Sequence, residues 1–505
     1  MILRSKRLCV FLHKTISMKK LFALWMGLLF PVLTFGQTLP TAEQELRAVW
    51  LTTIGGIDWP RTYATSPETI EAQKRELTDM LNRLQLIGIN TILLQTRVRA
   101  TTIYPSALEP WDGCMSGKPG VSPGYDPLAF AINECHRRGM QIQAWVVTIP
   151  IGKWNALGCS RMRKKYPKAV VKIGADGYLN PESSQTADIL CNICTELAKN
   201  YNLDGIHLDY IRYPENWKQK LNKAQGRRNI THIVRRIHDA VKTIKPQMKL
   251  SCSPLGKYSD LTRYSSRGWN SYNTVCQDAQ AWLRDGLLDQ LYPMLYFKEN
   301  NFYPFAIDWA EADGRGYEGA GVRGYENSSR IAAGLAVYCL DHKEGNWPLS
   351  EIIRQLNVCR QLGIGQCFFR AKFLLDNVKG IYDFLRLFNH EAPVVCNLYR
   401  RYESSAVWWY ENSLSPKGNL APTHPRTHTP SNALLPNDGT TLSLPMQADA
   451  DLIVIESLAG NAVATRSVHA HKANIATLPE GVYTVRSLHR KGITHRIGMF
   501  RIKRH

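Results

Sequence analysis

The segment DGIHLDYIRYP, Asp204–Pro214, reads as a strand whose side chains alternate between two environments. Alternation sends Ile206, Leu208 and Tyr210 to one side and Gly205, His207 and Asp209 to the other. An apolar set facing helices and a polar set facing inward is the pattern of a barrel strand. It delivers Asp209 to the strand's C-terminal end, where barrel enzymes keep their catalytic groups. Helical patterns flank the segment, Gln185–Asn200 before it and Asn229–Ile244 after it.

Working outward, the same alternation repeats. Strand-like runs fall at Leu46–Thr53, Ile89–Thr96, Gln141–Thr148, Gly205–Tyr210, Lys249–Ser253, Leu288–Tyr296, Ala333–Leu340 and Gly365–Arg370, with helical stretches between them. The helix near Pro304–Asp313 carries the weakest pattern. Ser66-Pro67-Glu68 supplies an N-cap, a first-turn proline and a first-turn acid, and Gly88 and Gly139 sit where helices must stop before a strand. Eight strands alternating with helices predict an α/β fold, a (β/α)8 TIM barrel over residues 45–390. A doubly wound sheet would carry a glycine-rich phosphate turn after its first strand, and Thr52–Ile57 (TTIGGI) does not match one. The long stretches Arg97–Tyr125 and Ile149–Ser184 read as loops on the substrate face. Residues 391–440 have linker texture, with three prolines in Thr423–Pro436, and residues 441–505 read as short strands of a small β-sandwich-like domain.

Residues 1–36 read as a signal peptide, with Met18 a plausible true start: Lys19 and Lys20 precede the apolar run Leu21–Phe35, and Thr34-Phe35-Gly36 suits cleavage before Gln37. An exported protein without a stable membrane span after cleavage is expected, in the periplasm or outer envelope of a Gram-negative bacterium. The formal charge of the chain is +21; six Lys/Arg and no acid lie in residues 1–36, leaving +15. That balance reads either as a generally basic surface or as one that meets an anionic polymer, such as a cell-wall or surface glycan substrate, and no cationic run with interleaved aromatics suggests nucleic acid. The twelve cysteines are scattered. Cys191 and Cys194 form a CxxC inside a helical pattern with no second pair at zinc spacing, so buried helix cysteines are expected rather than a metal site, and no cofactor is implied.

Asp209 suits glycoside hydrolysis, which needs one acid for the leaving oxygen and one carboxylate to attack or to activate water. Its segment resembles the strand-four motif DGxDxDxE of family 18 chitinases, but Ile211 stands at the catalytic glutamate and His207 at another aspartate, which removes the substrate-assisted mechanism. A broader resemblance runs through RAVWLTT…IDWP (Arg47–Pro60), LIGINTILLQ (Leu86–Gln95), IYPSALEPW (Ile103–Trp111), PGYDPL (Pro123–Leu128), RRGMQIQAW (Arg137–Trp145), DGIHLDYIRYP and LLDQLYPMLYF (Leu287–Phe297). These blocks resemble the glycosyl-hydrolase-like 10 family of exported bacterial barrels. The resemblance implies a glycosidase of envelope glycan, acting on peptidoglycan strands stripped of their peptides. Family patterns place an Asp before the proline at Asn180-Pro181, so a catalytic partner there would be missing.

The second carboxylate stays open among Asp58, Asp112 and Glu299, each in a loop on the catalytic face, while Glu109 reads as a loop cap. Trp59, Trp111, Trp145, Tyr210, Tyr292 and Tyr296 are candidates for sugar stacking, and His207 for contact at the mouth. Arg97 and Arg370 end strands two and eight and, with Arg212, are candidates to hold an anionic group or to orient Asp209. The alternatives to an envelope glycosidase are a hydrolase of another polysaccharide and a catalytically silent glycan-binding barrel.

Overall fold

The computed structural model describes residues 45–217, 222–261, 268–312 and 330–390, together with 435, 437–438, 440–444, 452–457, 462–468, 470–478, 481–488 and 494–502. The N-terminal segment read as a signal, and most of the linker, lie outside the described residues. The barrel opens with β1 (Arg47–Leu51), β2 (Thr91–Arg97) and β3 (Gln141–Val147). An antiparallel insert follows, β4 (Pro150–Lys153), β5 (Val170–Ile173) and β6 (Asp176–Leu179). The chain then returns to the barrel as β7 (Gly205–Asp209), β8 (Lys249–Cys252), β9 (Gln290–Leu291), β10 (Ala332–Leu335) and β11 (Gly365–Phe368). The eight barrel strands are parallel in the order β10-β11-β1-β2-β3-β7-β8-β9, and bridges Leu291 to Ile331 and Met294 to Gly334 close the ring.

A helix follows each barrel strand: α1 (Pro67–Leu86), α2 (Pro127–His136), α3 (Ser184–Asn200), α4 (Lys223–Ile244), α5 (Ala279–Arg284), α6 (Tyr303–Ala312), α7 (Leu349–Gln361) and α8 (Ile381–His390). The start of α1 is a capping box, with Ser66 accepting from the Thr69 N–H and Thr69 accepting from the Ser66 N–H, and Pro67 in the first turn. Cys191 and Cys194 are buried on α3 with free thiols, so this CxxC is helix packing.

Three stretches differ from the sequence reading, each for a local reason. The sixth barrel strand is only Gln290–Leu291, because Pro293 lacks the N–H that a longer ladder needs. The seventh stops at Leu335 and turns into a single 3-10 turn at Val337–Leu340. The stretch Ile149–Ser184, read as loop, holds the β4–β6 sheet and a helix at Leu157–Lys165; Gly174, at φ 61°, makes the tight turn between β5 and β6.

Alternation along the strands separates two cores. Val49, Leu51, Ile206 and Leu208 join the large cluster between barrel and helices, while Ala48, Trp50, Leu93, Trp145 and Tyr292 pack inside the barrel. Gly334 makes room there: a Cβ would stand 2.7 Å from the Pro293 carbonyl oxygen and 3.1 Å from the Trp50 indole. Polar groups inside the barrel satisfy one another. The Trp50 indole N–H donates to His207 Nε2 at 3.3 Å, so the ring proton lies on Nδ1, 2.8 Å from Ser251 Oγ. Ser251 donates to Gln143 Oε1 at 2.6 Å, and Gln143 donates to Gln290 Oε1 at 2.7 Å. His207 is therefore a neutral floor beneath the mouth.

Among the described C-terminal residues, β12 (Thr441–Ser443) pairs with β15 (Lys472–Asn474). A four-stranded antiparallel sheet is formed by β13 (Leu452–Ser457), β14 (Ala462–Ser467), β16 (Gly481–Leu488) and β17 (Thr494–Ile502). Leu442, Ile453, Ile455, Ile475 and Val485 give it a core of its own. Among the described residues no helix is long and apolar enough to cross a membrane.

Burial lowers the His207 pKa to about 3, so the folded chain resists protonation that the unfolded chain accepts near 6.5. The sign follows: wild-type stability is intact above about pH 6.5 and declines as pH falls toward 3, by about 1.4 kcal/mol per unit from this group. Denaturant titrations at stepped pH on wild type and His207→Gln should show the difference between them shifting in the variant's favour below pH 6.5. A pH-independent difference would refute the neutral-histidine account.

Candidate active site

Asp209 ends β7 with its side chain at the barrel mouth and is only 6% exposed. Neighbouring strands hold it. The Trp145 indole N–H from β3 donates to Oδ2 at 3.1 Å, Ser253 Oγ just past β8 donates to Oδ1 at 2.7 Å, and the Tyr210 backbone N–H donates to Oδ1 at 2.8 Å. Thr148 fixes the backbone by donating twice to the Asp209 carbonyl, at 2.9 Å from its N–H and 2.7 Å from its hydroxyl. Burial raises the Asp209 pKa, against the charge of Arg212 and the three donors, which favour the carboxylate. After Asp209 the chain turns sharply: Tyr210 adopts φ 53°, a left-handed conformation that costs a tyrosine about 1–3 kcal/mol. The turn sets its ring at the mouth, with the Arg212 guanidinium 4.2 Å above it.

Asp209 opens onto a cavity of about 740 Å³. Trp145, Thr52, Gln95, Met294, Tyr296 and Phe369 line it near Asp209. The β4–β6 insert contributes Gly152, Lys153, Asp176, Gly177 and Tyr178, and the segment after β7 contributes Tyr210, Arg212, Pro214, Glu215 and Asn216. Trp269 lines it too and is 64% exposed, a flat apolar face on which a sugar ring can stack. Gln95 Oε1 accepts from the Thr53 and Ile54 N–H groups at 3.0 and 2.9 Å, so its amide NH2 is the group it has left to offer a ligand hydroxyl. Arg212 gives Nε and Nη2 to Glu215 Oε1, at 3.2 and 2.6 Å, whereas its Nη1 is buried without a hydrogen-bond partner. A buried orphan donor beside a cavity fits a ligand oxygen.

The cavity thus gathers five residues expected from sequence, Trp145, Asp209, Tyr210, Arg212 and Tyr296. The other candidates do not line it. Asp58 is buried and bonded to the Thr52 N–H at 2.9 Å, the Thr52 hydroxyl at 2.6 Å, the Lys372 N–H at 3.0 Å and the Arg370 guanidinium, so it and Arg370 tie the loop after β1 to the one after β11. Asp112 caps the one-turn helix Gly113–Ser116 through the Cys114 N–H and accepts from Thr101. Glu299 is 60% exposed beside Lys298. Arg97 is wholly buried in a two-pronged pair with Glu109, at 2.8 and 2.7 Å, and also donates to the Val147 and Thr148 carbonyls. Trp59 packs in the outer core with its N–H on the Gln73 carbonyl, Trp111 bridges to Thr102, and His207 and Tyr292 belong to the floor. Asn180, where relatives were expected to carry Asp, starts a turn by accepting from the Glu182 N–H at 3.0 Å and does not line the cavity. Sequence reading missed Gln95, which the alternation of β2 places inward with Leu93, and missed Arg99, Asp176, Ser253 and Trp269, which the folded loops and the insert bring in. Glu215 stood one residue beyond the quoted motif.

The family model described as glycosyl hydrolase-like 10 matches residues 45–226 and 214–315. The chain is similar to the glycosyl hydrolase YngK of Bacillus subtilis (strain 168), 28% identical over 387 residues, covering 70% of this chain and 73% of that protein. It is likewise similar to the glycosyl hydrolase DigH of Escherichia coli (strain K12), 28% identical over 311 residues, covering 55% of this chain and 70% of that one. Among solved structures, the glycoside hydrolase domain of PgaB (BpsB) from Bordetella bronchiseptica aligns with a TM-score of 0.46 at 15% identity, covering 68% of this chain and 98% of that one.

The buried Arg97–Glu109 pair makes a prediction that separates structure from binding. Removing one partner of a buried pair leaves an uncompensated charge, so Arg97→Ala should lower the unfolding free energy by about 3–5 kcal/mol. Denaturant titration measures it; unchanged stability would return Arg97 to the list of ligand-holding groups.

Proposed function

Because the chain belongs to the glycosyl hydrolase-like 10 family, we propose that it is a glycoside hydrolase of bacterial envelope glycan, acting on peptidoglycan strands stripped of their peptides. One observation carries the reading: a buried carboxyl group, held by donors from neighbouring strands, faces a large cavity at the C-terminal mouth of the barrel. Asp209 acts as nucleophile or base, attacking the anomeric carbon or drawing a proton from water. A second carboxyl group gives its proton to the leaving oxygen, and water ends on the released sugar. We assign that second role to Glu215, a carboxyl group that lines the same cavity, which requires that Arg212 leave it for the ligand before it can carry a proton. The apolar N-terminal run and basic balance support an exported protein meeting an anionic glycan.

Incubation with amidase-stripped peptidoglycan strands and analysis of the released sugars tests the function; absence of product from the wild-type protein would sink it. Asp209→Asn should lower kcat/KM by about 10³-fold or more, and Glu215→Gln by about 10²-fold. A nucleophile or base must be ionised, so activity should fail as pH drops through the raised Asp209 pKa, above the ordinary aspartate value of about 3.9. Ser253→Ala removes a donor to the carboxylate and should move this acid limb further toward alkaline pH. An unmoved limb would take Asp209 out of the role.

A further inference from the structure

Between Lys153 and Ala175 the chain carries seven Lys/Arg and no acid. This is the insert that walls one side of the cavity. Among the described residues only Lys153 of the seven has an ion-pair partner. The Arg163 guanidinium is 4.1 Å and Lys172 Nζ 5.4 Å from the same Trp154 ring, and among the described residues neither has an ion-pair partner. Arg161, Lys164, Lys165, Lys168 and Lys172 are exposed. Asp176, which follows on β6, is taken up by Lys153 at 3.1 Å. Like charges crowded this way repel, a cost that a polyanion lying over them removes.

The crowding is continuous with the cleft. Lys153 lines the cavity, and so does Arg99. Gly152, at φ 90°, lets Arg99 lie against the insert, since a Cβ there would meet the Arg99 Cβ at 3.3 Å. The Arg99 charge acts in turn on the Tyr210 phenol, over which Arg212 stacks. Cationic groups therefore run from Arg212, which is paired with Glu215, through Arg99 and Lys153, which is paired with Asp176, to the Trp154 cluster and the exposed face of the insert, where among the described residues no carboxylate pairs with them.

We propose that this basic track binds the carboxylate-bearing part of a glycan strand extending beyond the cleavage point, so that the insert selects long anionic strands. The inference deepens the envelope-glycan reading and rests on it. It is tested by binding, in an Asp209→Asn background that prevents turnover, using peptide-stripped peptidoglycan strands and the same strands with their carboxylates reduced to alcohols. Lys164→Glu/Lys168→Glu/Lys172→Glu should weaken binding to the carboxylate strands about tenfold, while the corresponding triple Lys→Arg variant binds as the parent does. Raising salt from about 50 to about 300 mM should weaken the parent about tenfold and the Glu variant little, because exposed charges are screened. Reduced strands should bind all three proteins alike. Equal binding of carboxylate strands by parent and Glu variant would overturn the track, as would an equal loss on reduced strands. Lysine-dependent binding seen only with anionic phospholipid vesicles or only with single-stranded nucleic acid would also overturn it. Cleavage by the protein with Asp209 intact is read separately: charge-dependent binding without cleavage defeats the hydrolytic reading and leaves the track standing.

Discussion

The burial of the Asp209 carboxyl group is the constraint around which the barrel mouth is arranged. A carboxylate removed from water is costly unless donors replace its hydration. Three do so here, Trp145 from β3, Ser253 after β8 and the Tyr210 N–H in the turn that ends β7. None can be supplied by β7 alone in extended form. The sharp turn at Tyr210 and the parallel register that sets Val147 beside Asp209 are both parts of one solution.

Below that carboxyl group the barrel is filled by polar groups that use up one another's capacity. Trp50, His207, Ser251, Gln143 and Gln290 form a hydrogen-bonded chain that runs from the Trp50 indole N–H to the Gln290 side-chain carbonyl oxygen. A floor of this kind is neutral, so the charge at the mouth is set by Asp209 and by the groups of the loops. Two ion pairs beside the mouth, the buried Arg97 with Glu109 and the half-buried Arg370 with buried Asp58, are likewise closed on themselves. They hold loops and leave little for a ligand.

The cations that face the cavity are different ones, Arg99, Lys153 and Arg212. This sorting explains how a strongly basic chain can spend some arginines on architecture and others on recognition. An arginine whose guanidinium finds a carboxylate and carbonyls inside the fold is architectural. One left with a buried orphan donor, as Arg212 is at Nη1, is available to a ligand oxygen.

Local pattern determined the barrel and the position of Asp209. Strand periodicity of two and helix periodicity of 3.6 are properties of consecutive residues, so eight β-α units and the inward face of Gly205–Asp209 were legible without coordinates. Trp145, Arg212 and Tyr296 were legible as residues at or next to strand ends, whereas alternation put Tyr210 on the helix side and the left-handed turn after Asp209 brings it to the mouth instead. Tertiary structure decided the rest. Whether Asp58, Asp112, Arg97 or Arg370 faces a ligand depends on which distant group reaches it first, and in each case a loop partner did. Asp176 and Trp269 enter the cavity from segments whose paths are set by packing rather than by periodicity. The missing Asp at Asn180 looked like a lost catalyst in sequence. In three dimensions it is a turn residue, because a side chain's partners are fixed by the folded loop and not by its place in a motif.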